Sequence, residues 1–120
     1  MGSAMAVKRI VANLAASQFD SIKEFYCEIL EMKIVMDLGW IITLATDALS
    51  TQQLSFAHEG GSGTPVPDLS IEVDNLDEVH RRILDAGFPI EYGPVIEPWG
   101  VKRFYAHDPL GRLLNILSHR

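Results

Sequence analysis

The sequence predicts an α+β fold made of two tandem βαβββ modules, and three observations predict it. One amphipathic stripe occurs twice. Ile22, Phe25, Tyr26, Ile29 and Leu30 follow i, i+3, i+4, i+7, i+8, and Leu76, Val79, His80, Ile83 and Leu84 repeat those spacings at a constant offset. Each stripe is preceded by one strand-length run and followed by three. A Gly/Pro-rich stretch, EGGSGTPVP at 59–67, falls between the two sets and reads as a flexible linker.

The elements follow in order. Residues 8–15 form the first strand. The first helix opens with Ser17 and Asp20 in S-x-x-D form and ends near Leu30-Glu31. Strands at 33–37, 40–45 and 52–57 follow, with Asp37-Leu38-Gly39 turning the chain into the second of them. The second module opens with a strand at 68–73. Its helix is capped by Asn75, with Glu78 as reciprocal acceptor, and closes at Ala86-Gly87, where Gly takes the left-handed C′ position. Strands at 90–95, 102–106 and 113–118 complete it. Pro98-Trp99-Gly100 and Asp108-Pro109-Leu110-Gly111 supply the turns. Period two then separates Phe104, Ala106, Leu114 and Ile116, expected beneath a helix, from Arg103, Tyr105, His107 and Asn115 on the opposite face.

The 120 residues thus form a single domain over 7–120: module 7–57, linker 58–67 and module 68–119. Each module is too small to be comfortable alone. Residues 1–6 read as an expression scar or disordered N-terminus ahead of a native start at Met5. The formal net charge of −6, with no Lys/Arg cluster, argues against nucleic acid and weakly favours a cationic ligand. No apolar run approaches the ~18 residues that cross a bilayer, and residues 1–6 hold no signal-peptide core. A cytoplasmic protein is expected. Cys27 stands alone among apolar neighbours, so neither a disulfide framework nor a Cys-based zinc site is expected.

The βαβββ repeat, Ser21-Ile22-Lys23-Glu24-Phe25-Tyr26 entering the first helix, and the closing run from Arg103 through His107-Asp108-Pro109-Leu110-Gly111 to Asn115 resemble the vicinal oxygen chelate superfamily. That group includes glyoxalases, extradiol dioxygenases, fosfomycin-modifying enzymes and bleomycin resistance proteins. The resemblance spans about residues 7–119. It implies an open, cup-shaped curved mixed sheet with helices on the outside, usually completed in a homodimer, that holds small molecules. It also implies a divalent metal held by His on the first strand, His on the fifth and Glu on the eighth. Those slots read Val11, Asp68 and Asn115 here, and one strong donor in three does not hold a catalytic ion. The departure points to the metal-free, bleomycin-resistance-like branch, with no cofactor and no metal.

Other residues offer little chemistry. His58 and His119 follow strand ends, His80 joins a helix stripe and His107 neighbours a turn, without local metal-motif spacing. There is no Gly-x-Ser-x-Gly elbow. The candidate ligand-binding set is Trp40, Trp99, Arg103, Tyr105, Asn115, Asp68, Val11 and Phe56. The tryptophans would stack on planar or cationic groups, and Arg103 beside Tyr105 would orient an oxygen. Each has a plainer reading: the tryptophans as core or interface, Arg103 as an ion pair, Asp68 as an ordinary strand entry. The leading expectation is a homodimeric protein that sequesters a small, cationic or aromatic antibiotic without chemistry. The alternative is a metal-dependent glyoxalase-like lyase or isomerase, or a fosfomycin-type transferase. A dimeric ferredoxin-like barrel is a third, which leaves the Asp-Pro-x-Gly turn without a reason.

Overall fold

The computed structural model describes residues 5–46 and 52–120. Along the chain run β1 (Val7–Ala15), α1 (Asp20–Ile22) continuing as a π-helix over Lys23–Ile29, then β2 (Lys33–Asp37), β3 (Ile41–Ala45) and β4 (Gln53–Ala57). The second set is β5 (Leu69–Val73), α2 (Leu76–Asp85), β6 (Ile90–Glu97), β7 (Val101–His107) and β8 (Leu113–His119). The βαβββ order therefore occurs twice in an α+β fold. The chain divides into two compact units, Val11–Val66 and Pro67–Arg120, with the residues up to Ile10 joining the latter.

In the Val11–Val66 unit, β1 runs parallel to β4, β4 antiparallel to β3, and β3 antiparallel to β2. Alternation sends Ile42, Leu44 and Phe56 to one face, where Phe19, Ile22, Tyr26, Cys27 and Met32 cover them. Asn13, Ser55 and Thr43 form a buried polar row across the other. There the Thr43 and Ser55 hydroxyls bond at 2.7 Å.

The first helix differs from its expected α-helical stripe. Its hydrogen bonds shift to i→i+5, as from Leu30 N–H to the Phe25 carbonyl at 3.1 Å. The wider turn brings Ile22, Tyr26 and Cys27 onto the core but leaves Phe25 and Ile29 51% and 64% exposed. The Ser17 cap is also corrected: Phe19 occupies the N-cap position, and among the described residues no side chain caps the helix. Glu31, at φ +60°, takes the left-handed position that ends the segment without glycine.

The stretch read as a flexible linker is a closed turn. Gly60 N–H donates to the Thr64 carbonyl, the Thr64 hydroxyl to the Gly61 carbonyl, and Gly63 N–H to Glu59 Oε1, all at 2.7–2.8 Å. A carboxylate and a hydroxyl satisfy backbone groups that glycine alone would leave to water.

In the Pro67–Arg120 unit, β5 runs parallel to β8, which pairs antiparallel with β7, and β7 with β6. Val73, Leu76, Val79, Phe104, Ala106 and Ile116 form the core beneath α2, with Met5 packed against them. Asn75 caps α2 by accepting from Glu78 N–H at 3.3 Å. The Glu78 carboxylate turns instead to Arg81 and Arg82. Ala6 exchanges backbone and side-chain bonds with Asp74, which fastens the start of β1 to this unit. Residues 1–4 of the expected N-terminal scar lie outside the described residues. Gly93 is required where it stands: its φ is +78°, and an added Cβ would meet the Arg103 carbonyl oxygen at 2.6 Å.

Candidate functional site

The face of the Pro67–Arg120 sheet opposite α2 carries the polar chemistry. Register sets Ser70 of β5 opposite Asn115 of β8, Asn115 opposite Tyr105 of β7, and Tyr105 opposite Tyr92 of β6. Arg103 lies two residues before Tyr105 on the same face. This is the face on which period two places Arg103, Tyr105 and Asn115.

Arg103 and Glu97 form a buried ion pair, with Nε donating to Glu97 Oε2 at 2.7 Å and side chains only 2% and 3% exposed. The Tyr92 hydroxyl donates to the same oxygen at 3.0 Å, and Arg103 Nη1 donates to the Tyr105 hydroxyl at 3.2 Å. Three rings surround the guanidinium: Trp99, Tyr105 and Tyr92, with centroids 4.9, 5.0 and 5.4 Å from its carbon. Trp99 and Arg103 thus meet each other. Tyr92 and Glu97 escape a period-two reading because β6 shifts register twice against β7, between Ile90 and Tyr92 and between Tyr92 and Val95. The one sequence signal for Glu97 is an acid after the apolar pair Val95-Ile96, just before the Pro98-Trp99-Gly100 turn.

Asn115 is 9% exposed, and its Nδ2 donates to the Ser70 hydroxyl at 3.1 Å. Among the described residues, its buried Oδ1 has no hydrogen-bond partner. Buried polar atoms are seldom left so. Further along this face, Glu72 pairs with Arg9 at 3.2 Å and accepts from His119 at 2.9 Å. At the end of β7, His107 Nε2 meets Glu91 at 2.6 Å and Nδ1 meets the Gly111 carbonyl at 3.4 Å. The bond to Glu91, then that to Gly111, holds the imidazole pKa above its ordinary value. The turn beside it is closed by Asp108 Oδ1, which accepts from Leu110 and Arg112 N–H groups at 2.9 Å.

The remaining expected site residues are placed elsewhere. Asp68 is exposed, and its Oδ2 accepts from Leu113 N–H at 3.2 Å. Val11, Trp40 and Phe56 belong to the other unit. Val11 is buried on β1, Trp40 is half-buried with its carbonyl accepting from His58 N–H, and Phe56 lies in the helix-side core. The slots that the resemblance assigns to a metal do not suit one. Val11 is an alkyl group, Asn115 a neutral amide engaged with Ser70, and Asp68 is engaged with the backbone. Among the described residues, no three His, Cys, Asp or Glu side chains gather into a metal-binding group.

Two βαβββ modules, each with a helix on one sheet face and a polar row on the other, define the paired-module α+β class. The chain belongs to the Glyoxalase/Bleomycin resistance protein/Dioxygenase superfamily, which matches it over residues 7–116. No curated protein matches the chain. Its fold is similar to that of methylmalonyl-CoA epimerase from Mycobacterium tuberculosis, at TM-score 0.73 and 18% identity, covering 100% of this chain and 93% of that one. A glyoxalase/bleomycin resistance protein/dioxygenase superfamily member from Vibrio splendidus 12B01 aligns at TM-score 0.62 and 15% identity, over 92% and 97% of the two chains. The Mn(II)-bound glyoxalase from Novosphingobium aromaticivorans aligns at TM-score 0.61 and 17% identity, over 93% of this chain and 37% of that one. Among the described residues, no helix is long and apolar enough to cross a membrane.

Proposed function

We propose that the protein binds a small molecule against the polar face of β5, β7 and β8, and holds it without making or breaking a bond. Asn115 Oδ1 carries this reading. A buried acceptor without a partner costs about 1–3 kcal/mol, and a ligand N–H or O–H removes that cost. Around it, Glu97 is engaged with Arg103 and Tyr92, and Asp68 with Leu113. Asn115 Oδ1 is therefore a buried acceptor held in place beside Tyr105, and a ligand reaches it by entering between the side chains that cover it. A cationic nitrogen is the strongest donor to such an oxygen, in keeping with the net charge of −6. The ligand class is then a cationic or aromatic antibiotic of the bleomycin type, trapped stoichiometrically by a cytoplasmic homodimer.

Isothermal titration with bleomycin-type antibiotics, alongside light scattering, tests this. Saturable heat from a particle of twice the monomer mass, unchanged by chelator, supports it. Absence of heat together with stoichiometric uptake of Mn(II), abolished by Asp68→Ala, would replace it with a metal-dependent lyase, isomerase or transferase. Fold similarity to an epimerase and to a Mn(II)-bound glyoxalase keeps that alternative in the test.

A further inference from the structure

A second site stands in the Val11–Val66 unit, where β1 and β4 end. Ala15, Ala16, Ser17 and His58 line a shallow, widely open depression of about 480 Å³. His58 is fixed there in position and in tautomer. Its ring stacks on Phe19, with centroids 4.3 Å apart and planes 3° from parallel. Its backbone N–H donates to the Trp40 carbonyl at 2.8 Å. Its Nδ1 lies 2.7 Å from the Ala16 carbonyl oxygen. A carbonyl oxygen only accepts, so Nδ1 carries the proton, and in the neutral ring the lone pair falls on Nε2. Among the described residues, nothing bonds Nε2.

We infer that this depression takes a small molecule with an apolar body and one O–H or N–H group, of the phenol class, which donates to His58 Nε2. Ala15 and Ala16 provide most of the apolar lining, and the exposed Ser17 is the second polar residue there. The Phe19 stack holds the imidazole plane, so the acceptor direction is set before a ligand arrives. The acidic neighbour, Glu59, is engaged with Gly63 N–H and leaves the acceptor role to the imidazole. This site is independent of Asn115 and belongs to the other unit.

The full chain labelled with ¹⁵N-histidine, titrated with phenol, provides the test. His58 is expected as the Nδ1–H tautomer, with its Nε2 resonance moving saturably while those of His80, His107 and His119 stay fixed. His58→Phe keeps an aromatic ring on Phe19 and removes the acceptor, so saturation at the Ala16 and Ser17 amides is lost. An Nε2–H tautomer, an unresponsive Nε2, or equal movement of all four histidines overturns the inference. These readouts come from the unaltered protein and decide the question whether or not the variant folds.

Discussion

Glu97→Gln probes the buried pair that organises the candidate site. The substitution keeps size and hydrogen-bonding capacity and removes the negative charge paired with the Arg103 guanidinium, whose side chain is 2% exposed. Breaking a buried pair in this way costs about 3–5 kcal/mol. At about 2.1 cal/mol/K per residue, 120 residues have an unfolding entropy near 0.25 kcal/mol/K. The expected loss in Tm is therefore about 12–20 °C. Removing both charges in Glu97→Leu/Arg103→Met leaves no buried ion, and its cost should fall to roughly 1–2 kcal/mol, with three rings still available to pack on the thioether. Calorimetric unfolding of Glu97→Leu, Arg103→Met and the double variant closes the cycle, with Glu97→Gln measured beside them. A Tm within 2 °C of the parent for Glu97→Gln, or a double variant equal to the sum of its singles, would show that the pair is not buried and coupled as described.

Three other outcomes follow from particular contacts. Thr43→Val strands the Ser55 hydroxyl and should cost about 1–3 kcal/mol in urea unfolding, whereas Thr43→Val/Ser55→Ala should come closer to the parent; equal losses would count against that bond. Gly87→Ala meets nothing within 4 Å and should cost only the roughly 1–2 kcal/mol of its positive φ. Gly93→Ala also meets the Arg103 carbonyl at 2.6 Å, so at least twice that loss is expected, and matching values would refute the close approach. His107 has its pKa raised in the folded state, so its contribution to stability is fully present below the ordinary histidine value of 6.5 and is lost as pH rises through the higher folded value. Its NMR titration should have a midpoint above 6.5 that falls in Glu91→Gln, and a midpoint at or below 6.5 in the parent would contradict the Glu91 bond.

The sequence shows most plainly the features that rest on local periodicity. The twin stripes place α2 over Val73, Phe104 and Ile116, and period two assigns Arg103, Tyr105 and Asn115 to one face. Asp108-Pro109-Leu110-Gly111 reads as a turn because each residue type has a role there, and the Asp108 carboxylate performs its part. Features that depend on shifted hydrogen bonds are hidden. The π-helix changes which residues of Lys23–Ile29 meet the core, yet apolar spacing alone is compatible with either winding. Glu97 reaches Arg103 only because β6 slips against β7, and a slip leaves no trace in alternation. The 59–67 turn looks like a linker by composition, and its closure rests on two side chains, Glu59 and Thr64.

The most direct test of the central claim compares ligand binding by the parent protein and by Asn115→Leu, which keeps side-chain size and removes the buried acceptor. Titration calorimetry with a bleomycin-type antibiotic should give affinity weakened about five- to 150-fold, the equivalent of about 1–3 kcal/mol, while the fold stays intact. Unchanged affinity in Asn115→Leu would place the ligand elsewhere and contradict the account.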